Sequence, residues 1–286
     1  LLNIFLEFQG LDTYSSILLN DSCILKTDNM FRTYSLDIKD QLKIGKNILE
    51  VLFESPIKKG IEKREKLGYY PTISGNDLSE IGKVQGNQKV SVYSRKAGYH
   101  FGWDWGPRLV TSGIWKPITY QSWNNFKIND VYIQQDLQKD NVVLNATVEI
   151  GFDKDYIGNE LFIEAIVSKD NHDFSRNKIK IIANKNQNIY NIPVEIMNPK
   201  LWWPNGMGEQ YLYDVSINIY DEHSKDSKSL KTGIRTIELV REPDSIGTSF
   251  YFKVNGHPVF MKGANYIPQD AFLARPSKQH YKHILS

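Results

Sequence analysis

Hydrophobic residues alternate with polar ones over most of the chain, and turn-forming residues interrupt them at short intervals. This pattern is typical of antiparallel β-sandwiches, in which one face of each strand is buried. Near the start of the chain, Leu2, Ile4, Leu6 and Phe8 fall on one face of a strand. The strands predicted in the first 120 residues are Asn3–Gln9, Ile17–Leu19, Thr33–Ile38, Ile48–Phe53 and Lys89–Ser94, with a tight turn at Asn20-Asp21-Ser22.

One insertion departs from this pattern. It begins with Ser55 and Pro56, a capping residue followed by a first-turn proline, and continues with lysine and glutamate. It predicts a short basic helix, whose lysines we expect to face solvent.

A second series of strands occupies the middle of the chain. About one hundred residues with some seven strands is the size of an immunoglobulin-like sandwich. We expect Trp202, Trp203 and Pro204 to form a packed corner of it. The strands are predicted from Leu161–Val167, Tyr190–Ile196 and the alternating residues Val142, Leu144, Ala146, Val148 and Ile150, and Tyr211, Tyr213, Val215, Ile217 and Ile219.

In the last section of the chain, the spacing of hydrophobic residues changes from that of strands to that of a helix. Asn255-Gly256 predicts a two-residue hairpin turn, an apolar strand follows over residues 259–261, and Lys278–Leu285 is helical in pattern. A buried strand followed by a helix is how a barrel of alternating strands and helices begins, with ligand-binding groups at the strands' C-terminal ends. Asn265 and Tyr266 fall there. Because the chain starts in a strand and stops in a helix, we expect both ends to be cut.

Composition excludes several kinds of partner. The net charge is +2 over 286 residues, with acids and bases interspersed, which argues against nucleic acid or an anionic membrane surface. No transmembrane run is present. Cys23 is the single cysteine, so neither an intrachain disulfide nor a thiolate metal cluster can form. His280 and His283 lack a third ligand, so we expect no metal and no cofactor.

The most unusual stretch is H-F-G-W-D-W-G-P-R, in which Trp103 and Trp105 flank Asp104 between helix-breaking residues. Indole faces stack on the C–H face of a sugar, and a carboxylate accepts charge-assisted hydrogen bonds from sugar hydroxyls. The pattern therefore favours a presented sugar-binding turn. A core corner with a capped aspartate is the alternative that spacing leaves open. His100, alone among aromatics, is interpreted as a structural histidine.

Several motifs, in order, resemble glycoside hydrolase family 2, and within it the β-mannosidases. R-K-A-G-Y-H-F-G-W-D-W-G-P at Arg95–Pro107 is the most specific of them. It is similar to the loop that separates β-mannosidases from the β-galactosidases and β-glucuronidases of the family. The others are F-Q-G-L-D-T-Y at Phe8–Tyr14, G-K-N-I-L-E-V at Gly45–Val51, L-W-W-P-N-G-M-G-E-Q-Y-L-Y at Leu201–Tyr213, G-I-R-T-I-E-L at Gly233–Leu239 and F-Y-F-K-V-N-G-H-P-V-F-M-K-G-A-N-Y-I-P-Q-D at Phe250–Asp270.

The resemblance implies a mainly β chain with three parts. Residues 1–122 would be a jelly-roll-like sugar-binding sandwich without its first strands. Residues 123–240 would be an immunoglobulin-like sandwich, and residues 241–286 the first β/α unit of a TIM barrel.

The resemblance also implies a function, retaining hydrolysis of terminal β-mannose from an oligosaccharide or glycan. Trp103 and Trp105 would wall the sugar subsite, Asp104 would hold ring hydroxyls, and Asn265 and Tyr266 would contribute at the barrel mouth. Tyr266 stands where many members have tryptophan. The acid/base and nucleophile glutamates are expected beyond Ser286, so no catalytic residue is assigned here and the fragment should be inactive.

A second reading is a free-standing lectin or adhesion module built from two sandwiches. The C-terminal sequence discriminates between them, since a binding module has no reason to end in an apolar strand and half a helix. The family works where glycans are degraded, so a periplasmic, extracellular or lysosomal location is expected. The sequence leaves a homodimer open.

Overall fold

The computed structural model describes residues 3–69, 77, 89–103, 106–272 and 274–285. These residues are mainly β, as predicted, and they divide into two compact units. The first unit is built from Asn3–Ser122 together with Asn265–Ser286, and the second from Trp123–Ala264. No helix in the described ranges is long and apolar enough to cross a membrane.

The first unit contains three small sheets. Their strand orders are β5-β1-β8, β4-β3-β6 and β2-β7. The strands are β1 (Asn3–Phe8), β2 (Leu11–Asp12), β3 (Tyr14–Leu19), β4 (Ser22–Asp28), β5 (Tyr34–Asp37), β6 (Leu49–Glu54), β7 (Gly113–Ile114) and β8 (Ile118–Trp123).

Alternation along β1 produces the core of this unit, as the sequence predicts. Leu6 and Phe8 are buried, while Phe5 and Glu7, which alternate with them, are half-buried. Leu2, placed on the same face by the pattern, lies outside the described residues. The buried cluster is Leu6, Phe8, Leu11, Ile17, Leu19 and Ile38.

Two tight turns follow their sequence signals. Asn20 and Asp21 join β3 to β4 with φ angles of 51° and 68°. Asn255 and Gly256, in the second unit, have φ angles of 50° and 78°. Positive φ at both central residues matches the strand twist of a two-residue hairpin, and Asn, Asp and Gly tolerate it best.

The predicted basic helix is confirmed as α1 (Pro56–Leu67). Ser55 caps it by accepting a hydrogen bond from the Lys58 N–H, and Gly68 ends it in the left-handed conformation. Lys63 departs from the expected solvated face, because its Nζ donates to the Tyr14 hydroxyl at 2.9 Å.

The strand predicted at Lys89–Ser94 is wrong. The backbone forms a 3-10 turn over Ser91–Tyr93 instead. The Asp77 carboxylate accepts hydrogen bonds from the N–H groups of Val90 and Ser91 at 3.1 and 3.0 Å. A side chain therefore takes the backbone donors that a sheet would have used.

The second unit contains a seven-stranded sandwich. One sheet has the order β13-β10-β9 and the other β12-β11-β14-β15. The strands are β9 (Phe126–Leu137), β10 (Asn141–Phe152), β11 (Glu160–Lys169), β12 (His172–Ile182), β13 (Ile189–Met197), β14 (Tyr213–Tyr220) and β15 (Lys225–Thr232).

The alternating residues of β10 and β14 fill the space between these sheets. Val142, Leu144, Val148 and Ile150 are each at most 1% exposed. Trp202 and Trp203 are half-buried at the end of the sandwich, where Gly233 and Gly208 leave room for the two indoles. The packed corner predicted there is what the structure shows.

A three-stranded sheet of β16 (Ile237–Val240), β17 (Tyr251–Val254) and β18 (His257–Val259) follows. The predicted apolar strand does not continue, because β18 ends at Val259 and Phe260 is 84% exposed. A buried strand needs neighbours to take its backbone hydrogen bonds, and no described residue pairs with residues 260–268. The helix predicted near the end is confirmed as α2 (Lys278–Leu285).

Tyr156 provides a test of the second sandwich. Its hydroxyl donates to Asp221 Oδ2 at 2.6 Å, and Asp221 Oδ1 accepts the N–H groups of His223 and Ser224 in the turn between β14 and β15. Burial and this hydrogen bond raise the pKa of Tyr156. We expect Tyr156→Phe to lower the free energy of unfolding by about 1.5 to 3 kcal/mol, the range for a hydrogen bond to a charged group.

Urea denaturation of the chain measures this. Tyr132→Phe is the matched control, because Tyr132 is 61% exposed. Equal stability of both variants would contradict the role given to the Tyr156 hydroxyl.

Candidate functional site

The residues singled out by sequence lie in the first unit. Trp103 is half-buried in a loop, whereas Asn265 and Tyr266 are exposed in the segment after β18. Asp104 and Trp105 lie outside the described residues.

The residues on either side of Asp104 and Trp105 pair with each other. The Trp103 N–H donates to the Gly106 carbonyl at 3.4 Å, and the Gly106 N–H donates to the Trp103 carbonyl at 3.2 Å. A Cβ at position 106 would lie 2.2 Å from the Trp103 ring. Only glycine therefore lets the indole fold back over this backbone.

The Tyr99 ring packs against Trp103, and two further tyrosines act on the Tyr99 hydroxyl. Tyr99 meets the Trp103 ring edge-on at 5.9 Å between centroids. Burial raises the pKa of the Tyr99 hydroxyl, with further contributions from Tyr281 and Tyr266. The rings of Tyr266 and Tyr281 are 6.2 Å apart. The effect of Tyr266 on the Tyr99 hydroxyl places Tyr266 near the loop that carries Trp103, and both Tyr266 and Asn265 are exposed.

A buried polar network underlies this loop. The Lys96 ammonium binds the Asp12 carboxylate, and the two side chains are 0% and 4% exposed. Thr111 Oγ1 donates to Asp12 Oδ2 at 2.6 Å and accepts from Lys96 Nζ at 2.9 Å. Thr13 Oγ1 also donates to Asp12. A buried carboxylate needs such partners, because an unpaired charge in the interior is very costly.

The local fold explains how these residues meet. Asp12 lies on β2, which pairs with β7 through Asp12 opposite Gly113, two residues after Thr111. Lys96 follows Arg95, whose carbonyl accepts the Met30 N–H at 3.0 Å. Lys96 and Thr111 stand at the two ends of residues 97–110, so Asp12 joins both ends of the loop that contains Trp103.

His100 connects this network to the segment after Tyr266. Its Nε2 lies 2.7 Å from the Ala271 carbonyl oxygen, and its Nδ1 lies 3.3 Å from Thr111 Oγ1. Burial, followed by the charge of Lys96, lowers the pKa of His100. The imidazole is therefore neutral at pH 7, with its proton on Nε2, because a carbonyl oxygen can only accept.

The far end of the loop is held by Arg108. Its Nη1 donates to the Phe101 carbonyl at 2.9 Å and to Asp77 Oδ1 at 3.1 Å. The same carboxylate holds the 3-10 turn before the loop. The sequence singles out neither this pair nor Asp12 and Lys96, because the residues around them include polar, charged and glycine residues and do not distinguish them from other acids and bases of the chain.

A cavity of about 640 Å³ opens beside the network and is lined by Asp12, His100, Thr111 and Trp115 among apolar residues. The Asp12 carboxylate and the Thr111 hydroxyl in this lining already bind each other. Within the described ranges, no cluster of three or more His, Cys, Asp or Glu side chains could hold a metal ion.

The buried ion pair of Asp12 and Lys96 can be tested by its effect on the free energy of unfolding. Lys96→Met leaves the Asp12 carboxylate buried without its countercharge, so we expect the first unit to lose about 3 to 5 kcal/mol of unfolding free energy. The double variant Asp12→Leu/Lys96→Met removes both charges and should recover most of that loss.

Urea denaturation of the single and double variants measures the coupling. Lys180→Met is the surface control, since Lys180 and Glu160 pair at 2.6 Å with both side chains more than half exposed. Asp12→Leu is measured alone as well, and a double variant whose loss equals the sum of the two single losses would contradict the coupling.

Comparison with known proteins identifies relatives along almost the whole chain. It is 33% identical over 282 residues to "Beta-mannosidase B" of Emericella nidulans, an alignment that covers 98% of this chain and 32% of that protein. It is 35% identical over 287 residues to "Beta-mannosidase" of Capra hircus, with 98% and 32% covered. The chain spans about a third of the length of these curated relatives.

Comparison with solved structures also identifies similar proteins. A crystal structure of a β-D-mannosidase from Dictyoglomus thermophilum superimposes with a TM-score of 0.87 at 38% identity, covering 99% of this chain and 33% of that one. The exo-chitosanase CsxA of Amycolatopsis orientalis superimposes with a TM-score of 0.64 at 18% identity over 99% of this chain and 30% of that one. At that identity only the fold is shared.

Two family models match consecutive parts of the chain. The galactose-binding domain-like model of glycosyl hydrolase 2 matches residues 2–116, and the model of glycosyl hydrolases family 2 matches residues 126–235. Both describe the same family and together they cover most of the chain. The chain therefore belongs to glycoside hydrolase family 2 and has homologues among the β-mannosidases.

Proposed function

We propose that this chain is the substrate-binding front part of a retaining exo-β-mannosidase that removes terminal, non-reducing β-D-mannose residues. The observation that carries the proposal is the similarity to proteins named β-mannosidase over 98% of the chain. The R-K-A-G-Y-H-F-G-W-D-W-G-P motif within that stretch supports the same substrate. In this proposal, residues 1–122, 123–240 and 241–286 are the sugar-binding sandwich, the immunoglobulin-like sandwich and the start of a (β/α)8 barrel.

The W-D-W loop is the part of the chain that reads the sugar. Trp103 and Trp105 wall the mannosyl subsite, and Asp104 accepts hydrogen bonds from ring hydroxyls. The packing of Trp103 against Tyr99 and Gly106 supports this role, because it fixes one indole wall. Tyr266 and Asn265 contribute from the neighbouring segment. A buried acceptor left unpaired by the wrong sugar isomer costs about 1 to 3 kcal/mol, which favours one stereoisomer.

The catalytic carboxyls belong elsewhere in the enzyme. Retaining hydrolysis needs an acid and a nucleophile about 5 to 5.5 Å apart, and we place both glutamates beyond Ser286. Asp270 is paired with Arg275, which lowers the pKa of Asp270, and the N–H groups of Ile246 and Gly247 lower the pKa of Asp244. A general acid at neutral pH needs a raised pKa. The 286-residue chain alone is therefore expected to be inactive.

The first test is hydrolysis of an aryl β-mannoside by the full-length protein, beside the matching β-galactoside, β-glucuronide and β-glucosaminide. We expect selective release from the mannoside, because the loop reads the sugar's stereochemistry. The 286-residue chain serves as the inactive control. A folded protein that turns over none of the four would favour the alternative of a carbohydrate-binding module without catalysis.

Asp104 is tested in the same assay. We expect Asp104→Ala to lower kcat/KM at least about a hundredfold with little change in melting temperature, because it removes charge-assisted hydrogen bonds to the substrate. Asp40→Ala, at an exposed acid of the same sandwich, is the control. Unchanged efficiency in correctly folded Asp104→Ala would remove this residue from the sugar site.

A further inference from the structure

We propose that His100 is a positioning residue of the sugar site, which holds the loop carrying Trp103 against the segment carrying Tyr266. The inference rests on the proposed function, since it assigns to His100 the spacing of two groups that bind one sugar. His100 itself need not touch the substrate.

The first observation is the bond that His100 makes across the unit. Its Nε2 donates to the Ala271 carbonyl at 2.7 Å, between residues 171 positions apart in the chain. His100 precedes Trp103 by three residues, and Ala271 follows Tyr266 by five. One short hydrogen bond therefore ties together the two segments to which sugar-binding residues are assigned.

The second observation is the buried polar network against which the imidazole packs. His100 is 2% exposed, and its Nδ1 lies 3.3 Å from the Thr111 hydroxyl, which is itself bound to Asp12 and Lys96. That network joins both ends of the loop. The single proton of the Thr111 hydroxyl is donated to Asp12, so the Nδ1 side of the ring packs against this network without a hydrogen bond of its own. Nε2 bonds to the Ala271 backbone on the other side.

The third observation is the path from His100 to Trp103. The Tyr99 ring contacts the His100 ring edge-on at 4.9 Å and the Trp103 ring edge-on at 5.9 Å. Closely packed rings cannot shift independently, so a displaced imidazole moves the indole wall. The Tyr99 hydroxyl is buried and makes no hydrogen bond within the described part of the chain, so packing alone fixes this ring.

We expect the contacts of His100 to matter more for the position of the sugar-binding loop than for the stability of the fold. The sandwich is held by its strands and its apolar core, to which His100 adds one neutral hydrogen bond. Substrate binding is more sensitive, because a gap of about 0.5 to 1 Å at a packed contact already loses about a quarter to a half of its attraction. Loss of the His100 bond should therefore affect the sugar more than the stability of the unit.

The test compares His100→Gln with His100→Asn in the full-length protein, assayed on an aryl β-mannoside. The side-chain amide of glutamine reaches the position of Nε2 and can donate to the Ala271 carbonyl, whereas that of asparagine reaches only the position of Nδ1. We expect the glutamine variant to keep kcat/KM within about threefold of wild type. The asparagine variant should lose at least about tenfold in kcat/KM, with KM raised.

The KM change separates this role from a merely structural one. A partly unfolded preparation loses kcat at unchanged KM, because its folded molecules bind substrate normally. His223→Asn, at an exposed histidine of the other unit, is the matched control.

The outcomes are distinct. Equal kcat/KM in the glutamine and asparagine variants would overturn the role of His100, as would a loss confined to kcat. If the wild-type protein hydrolyses no aryl β-mannoside, the proposed function fails, and this inference fails with it. If the wild type is active and only the asparagine variant has a raised KM, both stand.

Discussion

The first unit depends on one buried ion pair. Asp12 and Lys96 are 84 residues apart in the chain, and their side chains are almost completely removed from solvent. Desolvation of two charges offsets most of their attraction, so a buried pair is a weak source of stability. Its main contribution here is to fix where the ends of the loop lie. The lysine and the threonine at the two ends of the loop both bind the Asp12 carboxylate. The strand that carries Asp12 therefore fixes the position of both ends.

The second unit is ordered by a different force. The two sheets of its sandwich meet through residues that alternate along β10, β11, β13 and β14, and burial of apolar surface is non-directional. Such a core tolerates variation in any one contact as long as volume and pattern are kept. It suits a supporting sandwich better than a site that must place polar groups to within a fraction of an ångström.

This difference explains what the sequence could predict. Strands β10 and β14 are visible in the sequence because they alternate cleanly, and the hairpin at Asn255-Gly256 is visible because few residues accept its backbone angles. Strand β15 was not named, because Lys225–Thr232 has almost no apolar face. The 3-10 turn at Ser91–Tyr93 was mistaken for a strand, because the carboxylate of Asp77 that forms it lies fourteen residues away in the sequence.

Some residues of the candidate site could likewise be predicted from the sequence, and others could not. Two separate motifs of the sequence single out Trp103 and Tyr266 as candidates, and the paired tryptophans of the first stand out in any sequence. His100 was interpreted as a structural histidine, and its contacts with Thr111 and Ala271 agree with that as far as stability is concerned. Its further role depends on what the two partners carry, and no local pattern contains a contact between residues 171 positions apart.

A fold shared at 18% identity cannot choose a sugar by itself, because its sheets are common to all the proteins that have it. In the proposed function, the choice of sugar comes from groups that stand outside the sheets, on loops. Apolar packing is non-directional, so it does not by itself fix the geometry of such a loop. Directional bonds from Asp12, Arg108 and His100 hold it at its ends, in its middle and against its neighbour. The polar interior of the first unit is therefore the physical condition under which a sandwich of ordinary stability can present a precise site.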